Sequence, residues 1–231
     1  MYNVAIMASA SHGRNIVFEQ FYPHEYARSV FGIDYDKLYK LGYRGLIFDV
    51  DNTLVHHGDL STEEVDAFLL GLQSRSFGIV LLSDNETSRL ESFTAKTHIP
   101  FIPDAGKPSP MGYEAVLAKL GLERSEAIVI GDQMFTDIRG ANASGLASIL
   151  VHYVMVPGQR IGKRRHMKKA LLALWRKNRR LYQRLGSVSV PRRRRWKESV
   201  VLDHFGYWDF SYNLSCLNSR RKRRSSYGHQ G

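Results

Sequence analysis

Short apolar runs alternate with stretches of helical periodicity from Leu46 to Val151, and no other feature of the chain constrains its fold as tightly. Leu46-Ile47-Phe48, ending at Asp49, reads as a buried parallel strand, because a strand covered on both faces is apolar throughout rather than alternating. Gly78–Leu82 and Ala127–Ile130 repeat the pattern, and Ile99–Ile102 and Ser148–Val151 give shorter versions. Between these runs, Thr62 is expected to cap a helix carrying Val65, Phe68, Leu69 and Leu72. A polar helix is expected around residues 86–97, another from Pro110 to its stop at Gly121, and a third from Thr136 to Ala143. Strands and helices taking turns over about 110 residues predict βαβ units, hence an α/β, Rossmann-like three-layer sandwich with a mainly parallel sheet. Ahead of the first strand, Tyr26, Val30, Phe31, Leu38, Tyr39 and Leu41 fall at helical spacings, which predicts an amphipathic lead-in over residues 20–40.

The charge is split along the chain. Residues 1–159 hold 12 Lys/Arg against 19 Asp/Glu, a balance of −7, whereas residues 160–231 hold 21 against 3, a balance of +18. An acidic body and a basic extension are two physical regimes. Within the extension, Met167, Leu171, Leu174, Leu181 and Leu185 fall on one helical stripe beside Trp175 and Tyr182, with Lys and Arg around them. That pattern predicts a basic amphipathic helix. The runs Arg192–Arg195 and Arg220–Arg224 flank a short aromatic patch, and this last part is expected to be disordered. The expected division is therefore a catalytic domain over 18–157, a basic amphipathic helix over 158–186 and a basic tail over 187–231.

Cys216 is the only cysteine, which excludes an intrachain disulfide framework and a cysteine-rich zinc site. No run approaches the roughly 18–20 apolar residues of a membrane-spanning helix. The start, Met1–Ala10, has no basic segment and too short an apolar run for a good signal peptide, so a cytoplasmic protein is expected.

The chemistry concentrates at strand ends, where ligands bind in open α/β sheets. Asp49-Val-Asp51-Asn-Thr53 places two carboxylates two positions apart, so both can face one crevice. Like charges that close need a cation or a proton. One such carboxylate can attack phosphorus while the other protonates the leaving oxygen and later activates water. The competing reading is a metal-free turn rich in Asp and Asn. Gly131-Asp132-Gln-Met-Phe-Thr-Asp137 repeats the arrangement after a later strand. Asp132 would supply a further oxygen ligand to a hard cation such as Mg²⁺. Asp137 either positions a metal-bound water or begins the following helix. Ser83, at the end of Ile79–Leu82, and Lys107, before Pro108, can bind phosphoryl oxygens, although a turn serine and a surface lysine are common without any such role. His56 and His57 lie beside the first motif and read as exposed loop residues.

Taken in order, Asp49-x-Asp51-x-Thr53, Ser83, Lys107-Pro108 and Gly131-Asp132-xxxx-Asp137 resemble the four-motif signature of the haloacid dehalogenase (HAD) phosphatase superfamily. Phe21-Tyr-Pro-His-Glu-Tyr, Phe48–Val55, Leu82-Ser-Asp-Asn85 and Gly131–Asp137 narrow the resemblance to the HAD-IIIA, YqeG-like group, over about residues 18–155. The resemblance implies a Mg²⁺-dependent phosphatase on a HAD fold. It makes Asp49 the nucleophile and Asp51 the general acid and base, with the Asp51 backbone carbonyl on the metal. Ser83, Asn85 and Lys107 would hold the phosphate, and Asp132 and Asp137 would complete the metal site with Asp49. Asp84 is a departure, since relatives often carry Asn there, and its negative charge is expected to alter phosphate or substrate binding slightly.

Fewer than 30 residues separate Val55 from Ser83, and one helix and one strand use them up; the gap from Ser83 to Lys107 is filled in the same way. Neither leaves room for a cap domain, so the fold is expected to be capless and its site open to a large substrate. The group also resembles phosphatases of phosphatidylglycerophosphate, which makes that lipid headgroup the expected substrate and an anionic membrane the expected partner. The expected location is then the cytoplasm, with peripheral attachment to the inner face of the membrane through the Met167–Leu171–Trp175 face. The alternatives are a phosphatase of nucleic acid or phosphoprotein, and an RNA- or ribosome-associated binding module on the same fold. Oligomeric state is not legible.

Overall fold

Six parallel strands form the centre of the molecule in the order β1-β6-β5-β2-β3-β4. The computed structural model describes residues 18–154 and 163–190. The segment before residue 18, the two arginine runs and Cys216 lie outside the described residues. The strands are β1 (Glu25–Ala27), β2 (Gly45–Phe48), β3 (Gly78–Leu82), β4 (Phe101–Ile102), β5 (Ala127–Gly131) and β6 (Ala147–Val151). The four residues of β2 and the five each of β5 and β6 are all buried, which is why, apart from Ser148 in β6, they carry no polar side chain and do not alternate.

The helices are α1 (Tyr35–Lys40), α2 (Glu63–Gln73), α3 (Thr87–Thr94), α4 (Pro110–Leu120), α5 (Arg139–Ala143) and α6 (Lys163–Lys177). Thr62 caps α2 by accepting the Val65 N–H at 3.2 Å. In α4, Pro110 occupies the first turn and Gly121 ends the helix at φ +65°, a left-handed conformation that an L side chain rarely adopts. The sheet is covered on both faces, with separate apolar clusters on each. Phe48, Val65, Leu69, Leu81 and Ile130 belong to one, and Ile47, Val80, Tyr113, Val116 and Val129 to the other.

The chain passes outward from β2 to β3 and β4, then crosses back to lay β5 on the other side of β2. The direction of winding therefore reverses between β2 and β5, and a crevice opens there at the carboxyl ends of the strands. Phe48 pairs with Ile130 in that register, so Asp49 and Asp132 emerge from neighbouring strands.

Two expectations fail in the details. The lead-in is not helical throughout: residues 25–27 form edge strand β1 along β6, and α1 begins only at Tyr35, capped by Asp34. Three residues of strand are shorter than any periodicity window, and the hydrogen bonds offered by the β6 edge decide their conformation. The C-terminal helix is also shorter than its apolar stripe, ending at Lys177 with turns to Leu185. Residues 163–189 share one compact unit with residues 18–154. Asp34 N–H donates to Val188 O at 2.7 Å, Lys37 Nζ to Gly186 O at 2.7 Å and Arg184 N–H to His24 O at 3.0 Å. Among the described residues no helix is long and apolar enough to cross a membrane.

Candidate active site

Asp49 is the first residue after β2 and only 7% exposed. Both of its carboxylate oxygens are held, Oδ2 by the Thr53 hydroxyl at 2.8 Å and Oδ1 by Lys107 Nζ at 2.6 Å. Lys107 reaches in from the loop before α4, where its ammonium also donates to Asp137 Oδ1 at 2.8 Å and Leu82 O at 3.1 Å. Burial would push the Lys107 ammonium down, but Asp137 and Asp49 outweigh it and hold its pKa well above the usual lysine value.

Asp137 sits in a turn of π-helix, Met134–Ile138, directly after β5. Such turns widen the helix by one residue and recur at functional sites. Here the turn aims the Asp137 carboxylate back at the strand end, where Oδ2 accepts the Gln133 N–H at 3.0 Å. Gly131 makes this approach possible, since a Cβ there would collide with the Asp137 carboxylate. Tyr113 of α4, wholly buried, donates its hydroxyl to Asp137 O at 3.2 Å.

Asp132 completes the group. One carboxylate oxygen from each of Asp49, Asp132 and Asp137 lies within 4.8 Å of the others. Burial raises the pKa of Asp49 to about 6, opposed by Lys107 and reinforced by Asp137. Burial also raises that of Asp132 to about 8, reinforced by Asp49 and Asp137 and opposed by Lys168. Asp132 Oδ1 is buried without a hydrogen-bond partner. Three buried carboxylates facing one ammonium, with an oxygen left over, form a hard-oxygen donor set that fits one divalent cation and water.

Asp51 points elsewhere. Its carboxylate accepts the Asn85 amide at 2.9 Å and the Gly58 N–H at 3.2 Å, with His57 Nδ1 at 3.1 Å and Arg89 Nη2 at 3.5 Å. Burial alone would raise its pKa, but Asn85, Gly58, His57 and Arg89 together hold it below the usual value. Asn85 is therefore engaged with Asp51 and with the Ser83 hydroxyl, both at 2.9 Å, and acts as a strut between the two motifs. Asp84, the departure in the pattern, accepts the Lys107 backbone N–H at 2.9 Å and so fixes the loop that delivers the lysine. His57 is exposed as expected yet touches Asp51, while His56 is only about a quarter exposed.

Two contributors lie outside the motifs. Arg89, on α3, bonds Asp59 O as well as Asp51 and thereby pins the loop that follows β2. Lys168, on α6, donates to Asp132 O at 2.6 Å and to Val151 O at 3.4 Å. Neither carries a local signal: Arg89 sits in an ordinary polar helix, and Lys168 is one basic residue among many.

Comparison with known proteins shows the family. The family model described as HAD-hydrolase-like matches residues 104–153, the span from the Lys107 loop through β6. A probable phosphatase, YqeG of Bacillus subtilis, is 31% identical over 132 residues, covering 57% of this chain and 77% of its own. A chloroplastic phosphatidylglycerophosphate phosphatase 1 of Chlamydomonas reinhardtii is 27% identical, covering 66% of this chain and 61% of its own length. The chloroplastic/mitochondrial phosphatidylglycerophosphate phosphatase 1 of Arabidopsis thaliana is 29% identical, covering 55% of this chain and 40% of its own. The chain belongs to the HAD-like phosphatases, in the family that includes YqeG.

Proposed function

We propose that this phosphatase is a Mg²⁺-dependent phosphomonoesterase that works through an aspartyl-phosphate on Asp49, with phosphatidylglycerophosphate as its substrate. The observation that carries the reading is the setting of Asp49: buried at a strand end, both oxygens held by Thr53 and Lys107, with two further carboxylates beside it. Asp49 Oδ attacks phosphorus, the bond from phosphorus to the leaving glycerol oxygen breaks, and Asp51, turned from its contacts with Asn85, Gly58 and His57 and protonated in the substrate complex, supplies the proton that oxygen needs. The Asp51 carboxylate then takes a proton from water, whose oxygen attacks the phosphorus and frees Asp49 and inorganic phosphate. Lys107 and Ser83 meet the charge on the transferring phosphoryl oxygens. Asp49 and Asp132, with the Asp51 backbone carbonyl, would hold Mg²⁺, Asp137 supporting them; bound there, it would neutralise phosphoryl charge.

Two findings support a lipid substrate. Between Val55 and Ser83 the chain builds only α2 and β3, and between Ser83 and Lys107 only α3 and β4, so no inserted domain closes over the site. A headgroup still anchored in a bilayer needs such an opening. The named activity of the Chlamydomonas and Arabidopsis relatives supplies the particular lipid.

The test is Mg²⁺-dependent phosphate release from phosphatidylglycerophosphate in mixed vesicles, with an aryl phosphate and a 5′-phosphorylated RNA in parallel. Lipid turnover that Asp49→Asn abolishes is the expected result. Turnover of the RNA above the lipid would reject the substrate, and turnover that survives Asp49→Asn would reject the mechanism.

A further inference from the structure

We infer that the mouth of the active site is a docking surface for an anionic lipid bilayer, formed by Leu60, Met111 and Met167 with the exposed basic flank of α6. The evidence is where exposed apolar side chains fall. Among the large hydrophobic residues at the described surface, the three most exposed are Met111 at 79%, Leu60 at 59% and Met167 at 53%. Single exposed apolar residues are ordinary on any protein surface. These three are set apart because each is joined to a different piece of the site.

Leu60 follows Asp59, whose carbonyl is held by the same Arg89 that contacts Asp51. Met111 lies in the first turn of α4, immediately after the loop that delivers Lys107. Met167 precedes Lys168, whose ammonium bonds the carbonyl of Asp132. The loops after β2 and β4 open on the edge of the sheet where the crevice lies, and Lys168 ties α6 to the same edge.

Charge selects the occupant. From residue 163 to residue 190 the chain carries ten Lys/Arg and no Asp/Glu. Lys169, Arg176, Lys177, Arg179 and Arg180 are exposed, and none forms an ion pair among the described residues. Met167 and Leu174, two helical turns apart, share one flank of α6, with Leu174 44% exposed; Lys177 lies next to that flank, and Lys169 and Arg176 border the far side of the helix's exposed face. Cations alone would suit RNA as well as lipid. Apolar side chains standing clear of the surface around a phosphate site suit the acyl–headgroup boundary, where they can leave water. The inference rests on the lipid reading of the same site, and docking would bring a headgroup phosphate to Asp49 without extracting the lipid.

The experiment uses the full chain and sedimentation with phosphatidylcholine vesicles, with and without phosphatidylglycerol. Aryl phosphate turnover reports the chemistry separately. The wild-type protein should partition onto the anionic vesicles. Leu60→Ser/Met111→Ser/Met167→Ser should lower that partition about tenfold or more, while aryl phosphate turnover stays within about twofold. Lys169→Glu/Arg176→Glu/Lys177→Glu should lower it only on vesicles containing phosphatidylglycerol. Unchanged partition in the triple serine variant would overturn the proposal, by showing that charge elsewhere does the binding. Tighter binding to a 5′-phosphorylated RNA than to the anionic vesicles, insensitive to the serine changes, would overturn it too. Vesicle binding lost in the serine variant while aryl phosphate is still hydrolysed supports docking; the same loss in the serine variant, where the wild-type protein binds vesicles yet hydrolyses no phosphate ester, supports docking and removes the phosphatase reading alone.

Discussion

Lys107 Nζ lies 2.6 Å from Asp49 Oδ1, and the same ammonium reaches Asp137 Oδ1 at 2.8 Å, with only 5% of the lysine side chain exposed. The lysine is thus the near cation for two of three buried carboxylates. Replacing it by Met removes that charge while keeping most of the volume. Turnover of an aryl phosphate should fall about 10²–10³-fold, the scale seen when one preorganised donor to a transition state is lost. In EDTA the variant should also unfold about 3–5 kcal/mol more easily, because two buried carboxylates lose their partner. Wild-type turnover in Lys107→Met would remove this residue from the site.

The carboxylate cluster makes stability depend on pH in a direction opposite to that of ordinary ion-paired acids. Burial and mutual repulsion raise Asp49 to about 6 and Asp132 to about 8, from 3.8 in both cases. A carboxyl with a raised folded pKa stabilises the fold fully below its unfolded value and loses that contribution as pH rises through its folded value. Metal-free protein should therefore lose stability between about pH 4 and about pH 8. Millimolar Mg²⁺ should flatten the decline, and Asp132→Asn should flatten it without metal. Urea unfolding across that range, in EDTA and in Mg²⁺, measures both. A stability rising with pH in EDTA would contradict the crowded cluster.

Gly131 offers a separate probe of the turn carrying Asp137. A Cβ there would meet the Asp137 carboxylate and its Cβ, so Gly131→Ala must push the turn away from β5. Lys107 would then lose its contact with Asp137, and Tyr113 its bond to the Asp137 carbonyl. Aryl phosphate turnover should fall at least about tenfold, with a stability loss of about 1–3 kcal/mol from the overpacked strand end. Unchanged turnover would mean that the position of Asp137 does not matter to the reaction.

The strands, their order of appearance and the residues at their ends were legible because each depends on local pattern: an apolar run, then carboxylates, serine or lysine where the run stops. What escaped depends on long-range contact. Edge strand β1 is three residues long and exists through its pairing with β6. Arg89 and Lys168 act on Asp51 and Asp132 across 38 and 36 residues of sequence, and nothing in their neighbours distinguishes them from other surface cations. Asp51 and Asn85 show the same limit from the other side. Their motif positions were plain, but the bond between them could not be read from either segment.

Trp175 is where the helical stripe misled, and it gives the last prediction. Its place beside Met167 and Leu171 suggested a face for lipid, yet Trp175 is 1% exposed, donates its indole N–H to Leu181 O at 2.8 Å and packs edge-on to Tyr182. Leu171 is buried as well, in one cluster with Met134 and Ile138, which belong to the turn carrying Asp137. The Leu171–Trp175 part of the α6 stripe is therefore spent on its own protein, while Met167 and Leu174 stay exposed, and Lys168 on the same helix bonds Asp132 O. Trp175→Ala should cost about 3–5 kcal/mol of stability by emptying a buried aromatic site. The loosened helix should lower turnover of aryl phosphate and of vesicle lipid by the same factor, since both need Asp132 in place. Met167→Ser should do the reverse, leaving stability and aryl phosphate turnover intact while weakening vesicle binding. Thermal unfolding alongside the two turnover assays separates the cases: a Trp175→Ala protein as stable as wild type and impaired only on vesicles would return this residue to the membrane surface.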